Sequence, residues 1–202
     1  MTPPGIPVYD LSAHLAALAA DFCRRLPALA QIDPQRVLFA ISRSRADGTH
    51  GTYARIAPLR FAAGAPEITR RRGRFLETFR MPALVHEGRE ILYVIYIMVP
   101  RFLRLSPEEK LTTVLHELFH VSTSCDGDIR RFAGRNFAHG SSRQAYNRQI
   151  KRLLEQYLAT ATEAVCPELL QLTEEGWHLG TFRLTGLSVP LPRARLVARQ
   201  RL

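Results

Sequence analysis

Apolar residues recur at Leu11, Leu15, Leu18, Phe22 and Leu26, a spacing that predicts a helix over residues 10–26. Pro27 and then Asp33-Pro34 close it. Past that point the pattern changes to short apolar or alternating runs. Residues 37–41 and 52–61 read as strands, and the turn-forming stretch 47–51 between them predicts a hairpin. Residues 75–81 read as a further strand, with a turn at 86–89. The run 91–99, rich in β-branched and aromatic side chains, reads as a well-buried strand that Pro100 stops. The clearest helix start follows. Ser106-Pro107-Glu108-Glu109 places a Ser at the N-cap, Pro at the first helical position and Glu three residues after the cap. That helix is expected over 107–121. Residues 124–140 are polar and read as loop or broken helix. A second long helix over 142–164 follows, with Tyr146, Ile150, Leu153, Leu154 and Tyr157 on one face. Residues 177–189 are expected to be extended. The pattern gives one α+β domain over residues 1–189, with a sheet within about 37–99, and a basic tail over 190–202 that is expected to be mobile.

Composition changes this picture in one respect. The 46% hydrophobic and 23% charged fractions are ordinary for a globular chain. The charge balance is not: 28 Lys plus Arg against 18 Asp plus Glu gives +10. Such an excess favours a polyanionic partner, nucleic acid first and an acidic membrane surface second. Arg70-Arg71-Arg72-Gly73-Arg74 and the arginines of residues 193–201 are candidate phosphate contacts, weighed evenly against plain solvation. Three cysteines without a CxxC pair indicate neither a disulfide framework nor a zinc ribbon. The N-terminus lacks a basic region followed by an apolar stretch, and the run 91–99 is far short of the ~20 residues a membrane helix needs. A reduced, cytoplasmic protein without membrane association is expected.

The chemistry-bearing feature is His116-Glu117-Leu118-Phe119-His120. Residues four apart on a helix share a face, so both imidazoles can address one Zn²⁺. Glu117, beside the first ligand, is placed to act as general base toward a water. Roughly 0.01 matches to this pattern are expected by chance in a chain of this composition. Its position in a capped helix, within an apolar face of Leu111, Val114, Leu115, Leu118 and Phe119, sets it further apart from coincidence. A catalytic zinc takes a third protein ligand and keeps one open position. The downstream candidates are Asp126, Asp128, His139, Glu155 and Glu163. His139 is preferred, because a neutral imidazole suits the metal and Gly140 lets the backbone approach closely. Glu155 or Glu163 from the second helix are the alternatives. Asp126-Gly127-Asp128 is read as a turn or as a partner that orients a ligand histidine. Tyr146 is the candidate hydroxyl for stabilising an oxyanion, with Arg130 or Arg131 as cationic alternatives.

The order of His116-Glu117-Leu118-Phe119-His120, a polar loop and His139-Gly140 resembles the SprT-like and Spartan-type metallopeptidases. The small phage and bacterial members look closer still, with an acidic, Gly- and Arg-containing loop after the helix, matched here by Asp126-Gly127-Asp128-Ile129-Arg130-Arg131. The resemblance covers about residues 91–157. It implies a compact zincin-like domain: a short, mostly antiparallel sheet packed on the HExxH helix, a second long helix, and an edge strand that receives a protein or peptide substrate in extended form. Two positions depart from the family pattern. Arg143 stands where Spartan-type proteins usually have an aromatic, and the cysteines cannot build the C-terminal zinc module many of them carry.

Three functions fit these features. The first is a zinc metallopeptidase, in a version that acts on proteins associated with DNA. The second is a nucleic-acid-binding module with a structural zinc and no cleavage. The third is a zincin-fold protein that hydrolyses another amide.

Overall fold

The structure, a computed structural model, describes residues 5–43, 52–132, 143–160 and 165–202. Strand β1 (Val8–Asp10) leads directly into helix α1 (Leu11–Arg25), where the Asp10 carboxylate accepts the Ala13 amide at 3.0 Å and caps the first turn. Strands β2 (Val37–Arg43) and β3 (Ala54–Pro58) follow, then a hairpin of β4 (Glu67–Arg72) and β5 (Phe75–Arg80). A smaller hairpin of β6 (Leu84–His86) and β7 (Arg89–Ile91) precedes β8 (Tyr93–Val99). Helix α2 (Pro107–Phe119) carries the histidine motif, and α3 (Arg143–Thr160) is the second long helix. The chain ends with α4 (Pro167–Gln171), α5 (Glu174–His178), β9 (Arg183–Thr185) and β10 (Arg195–Arg201).

The α+β class is as the pattern predicts. The pairing is not. Strands β2 and β3 form no hairpin with each other; β8 lies between them, parallel to β2 and antiparallel to β3. The sheet beside α2 is therefore mixed rather than mostly antiparallel, although the β4–β5, β5–β10 and β6–β7 pairs are antiparallel. The cause is the burial of β8. Tyr93, Val94, Ile95 and Ile97 are all fully buried, so this strand needs a neighbour on each edge and cover on each face.

Side chains alternate accordingly. Tyr93, Ile95, Ile97 and Val99 join Val37 and Phe39 in the larger core under α1, α2 and α3. Val94 and Tyr96 join Leu38 and Ala40 in a smaller core on the opposite face. Asp21 ties α1 to α3: it accepts the Tyr157 hydroxyl at 2.8 Å and pairs with Arg24 and with Arg25, the latter at 2.9 Å. Lys110 on α2 is buried and donates to the carbonyls of Leu170 (2.9 Å) and Leu172 (2.6 Å), which fastens α4 beneath α2.

Two further expectations are revised. Residues 177–189 are not continuously extended: α5 covers Glu174–His178, and β9 pairs in parallel with β1. The Arg70-Arg71-Arg72 cluster lies on strand β4. The segment expected to be a mobile tail forms β10, an edge strand paired antiparallel with β5 from Arg195 to Arg201. The expected turn at 47–51 lies outside the described residues. Cys23, Cys125 and Cys166 are unpaired. Among the described residues no helix is long and apolar enough to cross a membrane.

Candidate metal centre

Helix α2 begins with the capping box expected from sequence. Ser106 Oγ accepts the Glu109 amide at 3.3 Å, and the Glu109 carboxylate accepts the Ser106 amide at 2.8 Å. Registered from this cap, Val114, Leu115 and Leu118 point into the core, with no exposed surface. His116, Glu117 and His120 lie at the C-terminal end of the helix. His116 is half-buried; Glu117 and His120 are buried.

The two imidazoles converge. His116 Nε2 and His120 Nε2 are 3.2 Å apart, with ring centroids at 4.9 Å. Two nitrogens bound at about 2.0–2.1 Å in tetrahedral geometry lie about 3.3 Å apart. The spacing therefore fits two ligands of a single zinc ion.

Helix α2 tightens at its end: the His120 amide donates to Glu117 O at 3.2 Å, an i to i−3 bond. The carbonyl of His116 accepts the Tyr146 hydroxyl from α3 at 3.1 Å. Tyr146 thus meets the pair with its ring as well. It stacks on His120 at 5.2 Å and 22°, and lies edge-on to His116 at 4.9 Å. Its hydroxyl, expected to face an oxyanion, is directed at the His116 backbone. Burial raises its pKa, the nearby Glu117 charge adds to this, and Arg130 opposes it.

Glu117 faces strand β3. Tyr53 and Leu59 bond inward to β8, through Met98 N–H to Tyr53 O and Leu59 N–H to Leu92 O, each at 2.9 Å. By the alternation of an antiparallel ladder, the backbone groups of Ala54 and Ile56 then face away from β8. The Ile56 amide bonds the Glu117 carboxyl. Burial pushes that carboxyl up to about 7, and the Ile56 bond only partly offsets the rise. A cleft of about 250 Å³ opens here, lined by Tyr53, Ala54, Thr112, Thr113, His116 and Glu117 among others.

The acidic loop after the helix is a turn, as one of its two readings had it. Asp126 accepts the hydroxyls of Ser122 (2.6 Å) and Ser124 (2.8 Å), and Asp128 holds Arg131 through two bonds of 2.9 Å. Tyr93 donates to Asp128 O at 2.9 Å and accepts the Gly127 amide at 2.8 Å. Gly127 has φ +91, and a Cβ there would lie 2.5 Å from Arg60 Cγ, so only glycine fits. The loop returns as a bridge between Val121 and Ile129, with the Arg130 amide donating to His120 O at 2.6 Å. Arg130 consequently sits 4.1 Å over the Phe119 ring. Of the two arginines weighed for an oxyanion, Arg131 is engaged with Asp128, and Arg130 lies over Phe119, close enough to Tyr146 to act on its hydroxyl electrostatically.

Of the candidate third ligands, Glu155 is exposed on α3. It is nine residues from Tyr146, half a turn around the helix from the face that meets the histidines. His139 and Glu163 lie outside the described residues. Among the described residues no group of three His, Cys, Asp or Glu side chains forms a complete metal site. The contributions missed from sequence are the Ile56 amide, which carries no side-chain signal, and the Tyr93 brace beneath the loop.

Set against protein-family models, curated proteins and solved structures, the chain matches none of them.

Proposed function

We propose that this protein is a zinc-dependent peptidase of zincin-like fold, with His116 and His120 as two ligands of the metal and Glu117 as general base. The observation that carries this reading is the convergence of both Nε2 atoms to 3.2 Å beside a buried carboxyl that faces an open cleft. When bound, Zn²⁺ supplies Lewis acidity and brings the pKa of a water toward neutrality. The remaining work falls to the chain. Glu117, with its pKa raised to about 7, is suited to take a proton near neutral pH and return it to a leaving amine. Strand β3 is an edge strand whose outward groups at Ala54 border the cleft, so an extended peptide can add to it as a further strand. Tyr146 holds the His120 ring by stacking and serves as a positioning residue. His139 remains the preferred third ligand, with Glu163 as the alternative; the outward placement of Glu155 argues against it.

A zinc held only for structure would give Glu117 no task, and a buried carboxyl without one is costly. Glu117→Gln tests the distinction. The variant is expected to retain zinc at the wild-type ratio while cleavage of an unfolded protein such as casein falls at least ~100-fold. Cleavage by the variant at the wild-type rate would refute the assignment. So would zinc-loaded wild type that cleaves nothing in a broad peptide library.

A further inference from the structure

The sheet β10–β5–β4 stands apart from both hydrophobic cores: none of its strand residues belongs to either cluster. Sheets normally bury at least one face. Here every residue of β10 is exposed, and so are Arg70, Arg71 and Arg72 on β4. The strands and the β4–β5 turn carry eight arginines against Glu67 and Glu77, a net +6 of the chain's +10. Two arginine segments far apart in sequence are brought onto one surface by the pairing of β10 with β5.

Register sorts these charges. Arg72, Phe75 and Arg201 form one row across the sheet, Arg70, Glu77 and Arg199 the next, and Ile68, Phe79 and Leu196 the third. Side chains opposite one another share a face. That face therefore presents two columns of arginine about 10 Å apart, on either side of a central strand that carries Phe75 and Phe79. The one carboxylate among them, Glu77, is buried and shared between Arg72 (3.6 Å) and Arg199 (3.3 Å), so it offsets a single charge of four. Arg199 lies 3.8 Å over the Phe75 ring, a cation–π contact on the central strand.

We infer that this face of the β10–β5–β4 sheet is a nucleic-acid-binding surface that grips the phosphate backbone without reading sequence. Guanidinium groups fit phosphate oxygens in pairs, and the sheet fixes the spacing of the backbone positions that carry them. An acidic membrane is the weaker match, because Phe75 and Phe79 are half-buried and the exposed Leu196 on this face is a single apolar side chain among arginines. The base of the sheet is tied to the metal centre's loop: the Ala63 amide donates to Asp128 at 3.2 Å, just ahead of β4. The inference does not depend on the peptidase reading.

The test is fluorescence anisotropy of labelled oligonucleotides of about 20 nucleotides, single-stranded and duplex, titrated with full-length Glu117→Gln protein so that cleavage plays no part. Replacing Arg70, Arg72 and Arg201 with Gln is expected to weaken binding at least ~10-fold near 0.1 M salt and to reduce the salt slope by about 2–3. The charge-matched replacement of Arg148, Lys151 and Arg152, exposed on α3, is expected to change affinity less than ~3-fold. Lysine at the same three sheet positions should preserve most of the binding. Equal losses from the sheet and α3 variants would overturn the proposal, as would an equal loss from the lysine variant. Tight binding to vesicles of phosphatidylserine and phosphatidylcholine, with none to either oligonucleotide, would overturn it in favour of a membrane.

Discussion

The two three-stranded sheets contain nineteen residues each, and they differ in nearly every other respect. In β2–β8–β3 two residues are charged, Arg43 and Arg55, and both are exposed. In β10–β5–β4 nine are charged, and neither face joins a core. The first sheet holds the fold together and supports helix α2; the second presents a charged surface outside both cores. Burial thus separates the part of the chain that can be read as architecture from the part that can be read only by what it attracts. The contrast makes stability the first way to test it.

The largest effect is expected at the centre of the buried sheet. Ile95 has no exposed surface and lies between the helices and its strand partners. Ile95→Ala should cost about 3–4 kcal/mol in unfolding free energy measured by urea denaturation, through lost burial and the cavity left behind. A cost below ~1 kcal/mol would mean the core is not packed as described.

A smaller effect is expected at Asp21, among the helices covering that sheet. Burial alone would raise its pKa, but hydrogen bonds from Arg25, Tyr157 and Arg24 outweigh burial and hold it below the usual value of 3.8. A depressed carboxylate contributes stability that is present above its unfolded pKa and lost as pH falls through its folded pKa. Asp21→Asn should therefore cost about 2 kcal/mol at pH 7, and the gap from wild type should narrow below about pH 4. A gap that is constant with pH would remove the charge from the explanation.

The smallest effect is expected in the outer sheet. Leu196 is 49% exposed on β10, and Leu196→Ala should change stability by less than ~0.5 kcal/mol. A large loss there would erase the distinction between the two sheets.

The same contrast accounts for what was legible in the sequence. Helix α2 could be read because its signals are local: the Ser106–Glu109 capping box and the apolar spacing of Leu111, Val114, Leu115 and Leu118 lie within a few turns of one another. The exchange of partners among β2, β3 and β8 could not, since pairing depends on contacts distant in the chain, beyond the reach of a local pattern. Strand β10 gave no signal because its residues are polar or exposed throughout, and its partner β5 lies more than a hundred residues earlier. At the candidate metal centre the sequence pattern identified side chains and missed backbone. His116, Glu117, His120 and Tyr146 are brought together. The Ile56 amide at Glu117 and the turn of the Tyr146 hydroxyl toward His116 O belong to no residue pattern.

The proposed function requires that His116 and His120 hold a zinc ion. It is tested most directly by measuring bound zinc in the purified wild type, His116→Ala, His120→Ala, His139→Ala and Glu155→Ala proteins after equilibration with limiting metal. About one zinc per chain is expected in the wild type and in Glu155→Ala, with loss of it in the three histidine variants. Zinc at the wild-type level in both His116→Ala and His120→Ala would contradict it.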